Sequence, residues 1–183
     1  QKGQVMDTGS KAYEHLLKFK DRLERRTDLR QGGAWYSLRD CAYMDLFNAP
    51  KIVYRDNSTT PKFAVDTKGM MVVDGAFFIP TEDYFLLGLL NSKIGAFYFR
   101  SRCAAIGSVG SGGRLRFKKV YVSEFPIPRN INPDTKAGIE TLARKITSND
   151  TMSSIPLELE LNRLVFDLYG VPEEYKEAIL EQS

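Results

Sequence analysis

Residues 107 to 128, GSVGSGGRLRFKKVYVSEFPIP, limit what this chain can fold into more than any other stretch. Four glycines and two serines between positions 107 and 113 exclude a regular helix or strand there, because glycine loses more backbone freedom on folding than any other residue. The following RLRF alternates polar and apolar residues. In a strand that places Arg114, Arg116 and Lys118 on one face and Leu115 and Phe117 on the other. One face docks on a core while the other presents cations to solvent. Lys119 breaks the alternation, and Val120 and Val122 move the apolar side, so a bulge is expected near 118–119.

Charge along the chain points the same way. Residues 91–130 hold eight Lys and Arg against Glu124 as the single acid, whereas residues 131–183 carry a net −5. A local cationic excess of this kind suits a polyanion. The 43% hydrophobic content of the 183 residues is enough for a sizeable core. Cys41 and Cys103 are far apart, with no Cys-x-x-Cys pair, which argues against a disulfide framework or zinc site and fits a reducing cytoplasm. No run approaches the roughly 18 apolar residues of a membrane span. The first residues, QKGQVMDTGS, have neither a start methionine nor an apolar signal core and read as an interior cut.

Hydrophobic spacing predicts a helix over 11–27, with Tyr13, Leu16, Leu17 and Leu23 on one side. AWYSLRDCAYMDLF is expected to be short helix or irregular. KIVYR, KFAVD and MMVVDGAFFI read as short antiparallel strands, with DNSTTP and TKG as turns. EDYFLLGLLNSKIGAFYFRSR reads as one long helix or two, broken near Asn91 and Ser92. Thr81 is its expected N-cap, with Glu82 and Asp83 in the first turn. EFPIPRNINP is an extended connection, and helices are expected near 134–148, 156–169 and 172–181. In the second of these, Leu157, Leu161, Leu164, Val165 and Leu168 form one apolar stripe.

Several motifs point to chemistry less strongly. A glycine loop lets backbone N–H groups and serine hydroxyls approach a phosphate. This one is not a nucleotide-binding phosphate loop, because no Gly-Lys-Ser/Thr follows and the next element is a strand. Arginine can pair with guanine in the major groove and lysine neutralises phosphate, so duplex DNA is the better partner. His15 is the one histidine and has no metal-ligand spacing around it. Glu174-Tyr175-Lys176 has the E-x-K form of nuclease sites but no aspartate-bearing strand to go with it. Asn132-Pro133-Asp134 begins like an amino-methyltransferase tetrapeptide, yet Thr135 stands where an aromatic would stack on a flipped base. Trp35, Phe77, Phe78, Phe85, Phe97, Tyr98 and Phe99 read as core more readily than as base-stacking platforms.

Taken in order, HLLKFKDRLERR, WYSLR, PKIVY, FAVD, GAFFI, YFLLGLLNSKIGAFYF, GGRLRFKKVYVSEFPIP and LELELNRLVFDLYGVPEEYKEAIL resemble the TaqI-type C-terminal specificity domain. That domain follows the catalytic domain of many bacterial adenine-N6 DNA methyltransferases, including fused restriction–modification enzymes. LLNSK, the glycine-rich loop and FPIP are also similar to target-recognition halves of type I specificity subunits. One departure is Asn162, where the family commonly has an acid before LVFDLYG, at a position expected to serve helix packing.

The resemblance implies a non-catalytic target-recognition domain that grips double-stranded DNA while a separate N-terminal methyltransferase domain of the same parent chain flips and methylates adenine. It implies no cofactor in this chain and S-adenosylmethionine in the parent. The expected fold is mixed α/β (α+β): a small twisted, mostly antiparallel sheet with packed helices and a C-terminal helical segment. Residues 1–130 would form the target-recognition domain, and 131–183 the helical segment packed on it. Arg114 and Arg116 are the base-reading candidates, with Lys118 and Lys119 on phosphates. Ser108 and Ser111, in the loop with Gly112 and Gly113, would contact backbone oxygens. Arg55 and Lys62 flank a second turn toward DNA, and Arg39 is a further candidate. Two other classes remain open at this point: a protein-interaction module docking a methyltransferase or nuclease subunit, and a catalytic nuclease fragment.

Overall fold

KIVYR forms the centre of the first sheet because its apolar residues alternate and turns bound it on both sides. In the computed structural model, which describes residues 6–29, 33–37, 44–107, 113–148 and 154–182, it is β1 (Lys51–Arg55). The chain divides into two compact units, residues 1–46 and 47–183.

In the first unit, α1 (Lys11–Leu17) starts at Ser10, whose hydroxyl accepts the Tyr13 N–H at 3.2 Å. The single helix expected over 11–27 is instead two. Tight three-residue hydrogen bonds from Lys18 to His15 and from Phe19 to Leu16 close α1, and α2 (Lys20–Glu24) begins anew. Neither helix has a buried residue, so no packing extends them beyond their marginal intrinsic length. Tyr13, Trp35 and Tyr36 form a trio of rings with centroids 5.3–5.7 Å apart. The Arg26 guanidinium grips Asp28 through two N–H groups and donates a third to the Ser37 carbonyl.

In the second unit, β3 (Phe63–Asp66) and β4 (Ala76–Ile79) flank β1, both antiparallel to it. Tyr54 lies between Phe63 and Phe77 in register, and Ile52 between Val65 and Ile79. This face enters the core. MMVVDGAFFI yields a strand only in its last four residues, since β3 ends beside Lys51 while β4 starts beside Arg55. Residues 67–75 are therefore needed to cross the sheet from end to end. Gly75, at φ +89, makes the turn into β4.

A second sheet, unforeseen as a separate unit, has the order β2 (Asn57–Ser58), β6 (Arg114–Arg116), β5 (Ala104–Ile106). Of its outer strands, β2 falls in a stretch expected to be a turn, and β5 in the residues between the expected helix and the glycine loop. Such short strands carry no periodic signal and exist because β6 supplies both with hydrogen bonds. Asp56 joins the sheets: its N–H donates to the Gly75 carbonyl at 2.9 Å, and its carbonyl accepts the Phe117 N–H at 2.7 Å.

The long apolar segment is α3 (Tyr84–Asn91) and α4 (Lys93–Arg102), broken at Ser92. The Ser92 hydroxyl donates to Leu89 O at 2.7 Å and accepts the Gly95 N–H at 3.1 Å, ending one helix and starting the next. The N-cap of α3 is Asp83, not Thr81. The Asp83 carboxylate accepts the Leu86 N–H, while the Thr81 N–H already bonds the Ile79 carbonyl in a tight turn. The bulge expected at 118–119 is also corrected. Lys118 is extended at φ −69, ψ 151, and α5 (Lys119–Ser123) follows, burying Val122 and leaving Val120 in solvent.

α6 (Pro133–Ser148), α7 (Ile155–Leu168) and α8 (Glu173–Gln182) fall close to the three predicted stretches. α6 packs between α3 and α7, and α4 meets α7 and α8. Leu161 and Val165 are buried, and Leu157, Leu164 and Leu168 lie half-buried against them, so the stripe faces inward. Phe63, Phe99, Phe117 and Phe125 stack at the centre, Phe99 and Phe117 being essentially inaccessible to solvent. Each large aromatic buried this way contributes roughly 1.5–3 kcal/mol. The architecture is the expected mixed α/β one, with two small antiparallel sheets in place of one.

Candidate nucleic-acid interface

Arg114 and Arg116 project from the exposed face of β6, while Leu115 between them is 4% exposed and Phe117 beyond them 1%. The alternation fixes that geometry. Two buried apolar residues hold the strand to the core and leave the guanidinium groups no way inward. Residues opposite each other in an antiparallel pair share a face, so the neighbours of Arg116 are Ala104 and Asn57, and that of Arg114 is Ile106. No described residue bonds either guanidinium. Gly107, at φ +79, ends β5, and a Cβ there would lie 3.9 Å from the Cα of Gly113, so the strands meet closely at the base of the glycine loop. Ser108, Ser111 and Gly112 lie outside the described residues, as does Arg39.

Lys118 leaves the strand face. Its ammonium bonds the Asp56 carboxylate at 2.9 Å and sits 5.6 Å from the centroid of the Phe77 ring. Lys119 is exposed at the start of α5. Arg55 and Lys62 are both exposed. Because Tyr54 pairs with Phe63, they come together at the end of the first sheet where the chain departs for β2. Two residues after Arg55, Asn57 pairs with Arg116. The structure thus brings Arg55, Lys62, Arg114 and Arg116 around the junction of the two sheets.

Sequence reasoning missed Arg100, Asp56 and Asn57. Arg100 is exposed in the last turn of α4, just before β5. Arg102 is also there, but its guanidinium bonds Glu124 at 2.9 Å. Asp56 and Asn57 read only as turn formers, yet one oxygen of each, Oδ1, is buried with no donor bonded to it. Burial, with the Asp56 charge adding to it, pushes the Tyr54 phenol up to about 12, so it stays neutral beside the junction.

The other candidates separate from this surface. His15 stands exposed next to Phe19, and among the described residues no cluster of three or more His, Cys, Asp or Glu is placed to hold a metal. Glu174 and Tyr175 are exposed on α8, and Lys176 bonds Glu173 at 2.7 Å. Phe85 and Phe99 are buried, Phe77, Phe78 and Tyr98 are half-buried, and Phe97 is exposed beside Tyr169, Pro172 and Tyr175. No helix among the described residues is long and apolar enough to cross a membrane.

Several known proteins are similar to this chain in sequence or fold. A type II methyltransferase of Methanocaldococcus jannaschii, M.MjaIV, is 30% identical over 146 residues, covering 75% of this chain and 47% of its own length. Another from Aneurinibacillus aneurinilyticus, M.BanIII, is 26% identical over 175 residues, covering 87% and 29%. The chain therefore spans about half of one relative and less than a third of the other. The type IIL restriction-modification enzyme MmeI, solved in complex with DNA, superposes at a TM-score of 0.62 with 14% identity, over 95% of this chain and 27% of that one. At that identity the likeness is one of fold. The family model of the TaqI-like C-terminal specificity domain matches residues 12–127, the span from α1 through β6 and α5, and to that family this chain belongs.

Proposed function

We propose that this chain recognises a specific sequence in double-stranded DNA for a bacterial adenine-N6 DNA methyltransferase of a restriction–modification or phage-defence system. The observation that carries the reading is the pair Arg114 and Arg116, exposed, bonded to no described residue and fixed on a strand whose other face is buried. A planar guanidinium on a rigid strand is suited to bidentate pairing with guanine O6 and N7. Arg55, Lys62, Lys119 and Arg100 surround the pair with charge for phosphates. Ser108, Ser111, Gly112, Gly113 and Arg39 remain proposed contacts.

Support comes from family membership and from relatives that are methyltransferases of which the match covers only 47% and 29%. Catalysis and S-adenosylmethionine binding belong, in this reading, to a methyltransferase domain of the same parent protein, in the cytoplasm. Residues 1–130 serve as the recognition domain and 131–183 as a helical segment packed on it. A second reading, a docking module for a methyltransferase or nuclease subunit, draws on the apolar cleft lined by Phe97, Tyr169, Val171, Pro172, Tyr175 and Ile179.

Selection from a random duplex pool, read at several salt concentrations, tests the proposal. A preferred sequence is expected, with log K falling against log salt at a slope of about −3 to −4 for three to five neutralised phosphates. Recovery of random sequence with a flat salt response would favour the docking module.

A further inference from the structure

Arg116 occupies the middle of a three-stranded sheet, so two residues flank it on its own face. On the β5 side stands Ala104, which has no polar side-chain atom. On the β2 side stands Asn57, whose Oδ1 is buried and accepts no hydrogen bond. A buried acceptor without a donor is uncommon in folded proteins, and each one asks for an explanation. Next to it, Asp56 has bonded Lys118 through Oδ2 alone, leaving its own Oδ1 buried and without a donor. Two orphan acceptors thus lie in consecutive residues, and one of them, that of Asn57, belongs to the residue directly opposite Arg116, whose guanidinium carries five N–H groups.

We infer that Asn57 is a positioning residue for Arg116: its side-chain oxygen takes one edge of the guanidinium and leaves the other edge to a base. Directly opposed residues in an antiparallel pair have Cβ atoms about 4.5–5.5 Å apart, within the span of an arginine fork turned toward β2. Asn57 is suited to position and not to read, because its oxygen is shielded from any base while Arg116 is exposed. An arginine held at one edge loses less freedom on binding and presents its remaining donors at one angle, which sharpens discrimination. Among the described pairs Arg114 faces Ile106 of β5, whose side chain offers no acceptor. The two arginines therefore differ: Arg116 is oriented by the protein, and Arg114 is free to follow phosphate or base.

This inference rests on the DNA-recognition reading, and one experiment separates their failures. The full-length protein and its Asn57→Ala, Asn57→Asp, Arg116→Ala and Asn57→Ala/Arg116→Ala variants are each put through duplex-pool selection, with thermal unfolding as a check on folding. Asn57→Ala is expected to lose roughly tenfold or more of preference at one base pair, the same one that Arg116→Ala relaxes. The double variant loses nothing further there, and Asn57→Asp, which keeps an oxygen in place, retains the preference. Should the alanine variant melt early, Asn57→Val removes the oxygen while favouring the strand, and the same outcome is read from it. Unchanged preference in the acceptor-less variants, or relaxation at a different base pair from Arg116→Ala, overturns the positioning role and leaves DNA recognition standing. If the unaltered protein selects no sequence at all, DNA recognition fails and the positioning role falls with it.

Discussion

The side chain of Asn162, midway along α7, accepts the backbone N–H of Lys93 at 2.7 Å across 69 residues of sequence. Lys93 opens α4, so a helix from the C-terminal segment caps a helix of the central core. The position that departs from the commonly acidic family pattern is thus an acceptor aimed at a helix N-terminus, as an acid could be, and its amide nitrogen also donates to the Glu158 carbonyl at 2.8 Å, which an acid could not do. Asn162→Ala is expected to cost about 1–2 kcal/mol, the worth of a cap. Asn162→Asp should lie between Asn162→Ala and the unaltered protein at neutral pH, since a carboxylate there keeps the cap and meets the positive end of the helix dipole but loses the bond to the Glu158 carbonyl. Urea denaturation of the three proteins checks the order.

Gly95 explains why the chain can break at Ser92 and start a helix at once. A Cβ there would stand 2.5 Å from the Leu90 carbonyl oxygen and 2.7 Å from that of Leu89, backbone atoms with nowhere to move. Gly95→Ala should cost at least about 1–3 kcal/mol, the usual range for overpacking. Gly88 is similar but milder: its Cβ would meet Ile139 Cγ2 at 2.9 Å, a side chain in the tight contact between α3 and α6. Gly170, at φ +60 and with nothing within 4 Å, is the contrast. There alanine meets only backbone strain, about 1–2 kcal/mol, and asparagine less. Thermal unfolding should rank Gly95→Ala as more damaging than Gly170→Asn.

These details show where the sequence is legible. The strands KIVYR, FAVD and AFFI, the break at Asn91-Ser92 and the three final helices follow from periodicity and caps, which are local. The Arg114 and Arg116 face follows from a two-residue alternation, also local. What was missed depends on partners distant in sequence. β2 and β5 are too short to show a pattern and form only because β6 lies between them. Asn57 has meaning only through its pairing with Arg116, 59 positions later. Lys118 looks like a third rung of the ladder until Asp56, 62 residues earlier, is seen to hold its ammonium.

Lys51 and Asp66 form an ion pair on the outward face of the first sheet that is almost closed to solvent. The Lys51 ammonium also donates to the Phe47 carbonyl at 2.6 Å, and the carboxylate accepts the Lys68 and Met70 N–H groups at 2.8 Å each. The bond from Lys51 outweighs burial, and with the two backbone N–H groups it holds the Asp66 carboxyl below its ordinary value. A carboxyl with a lower pKa folded than unfolded stabilises fully above its unfolded value, about 4, and loses that contribution as pH falls through its folded one. Asp66→Asn should therefore melt well below the unaltered protein at pH 7. The gap between them should narrow steadily below about pH 4. At neutral pH Asp66→Leu combined with Lys51→Met should melt above Asp66→Asn, because no buried ammonium is then left without its partner. Melting curves between pH 7 and pH 2 give both comparisons.

The last prediction separates two lysines that are neighbours in sequence and unlike in structure. Lys119 is exposed at the start of α5, with no described residue bonded to its ammonium. The Lys118 ammonium is neutralised by Asp56 and lies against Phe77, its side chain 42% exposed and that of Asp56 16%. Only a cation that displaces counterions from phosphate contributes to the salt dependence of DNA binding. Lys119→Met should therefore lower the magnitude of the log–log salt slope by about 1 and weaken binding to all sequences alike. Lys118→Met should leave the slope unchanged. It should instead destabilise the fold by about 1–3 kcal/mol, since Asp56 would keep neither of its oxygens bonded. Its effect on DNA should appear as relaxed base preference, because Asp56 ties β2 to the strand carrying Arg116. Binding isotherms between low and moderate salt, together with duplex-pool selection, measure slope and preference on the same proteins. A reduced slope for Lys118→Met would mean that the ammonium leaves Asp56 for a phosphate when DNA binds. The junction would then be a moving part, and Arg116 would take its orientation from the DNA instead of from the sheet.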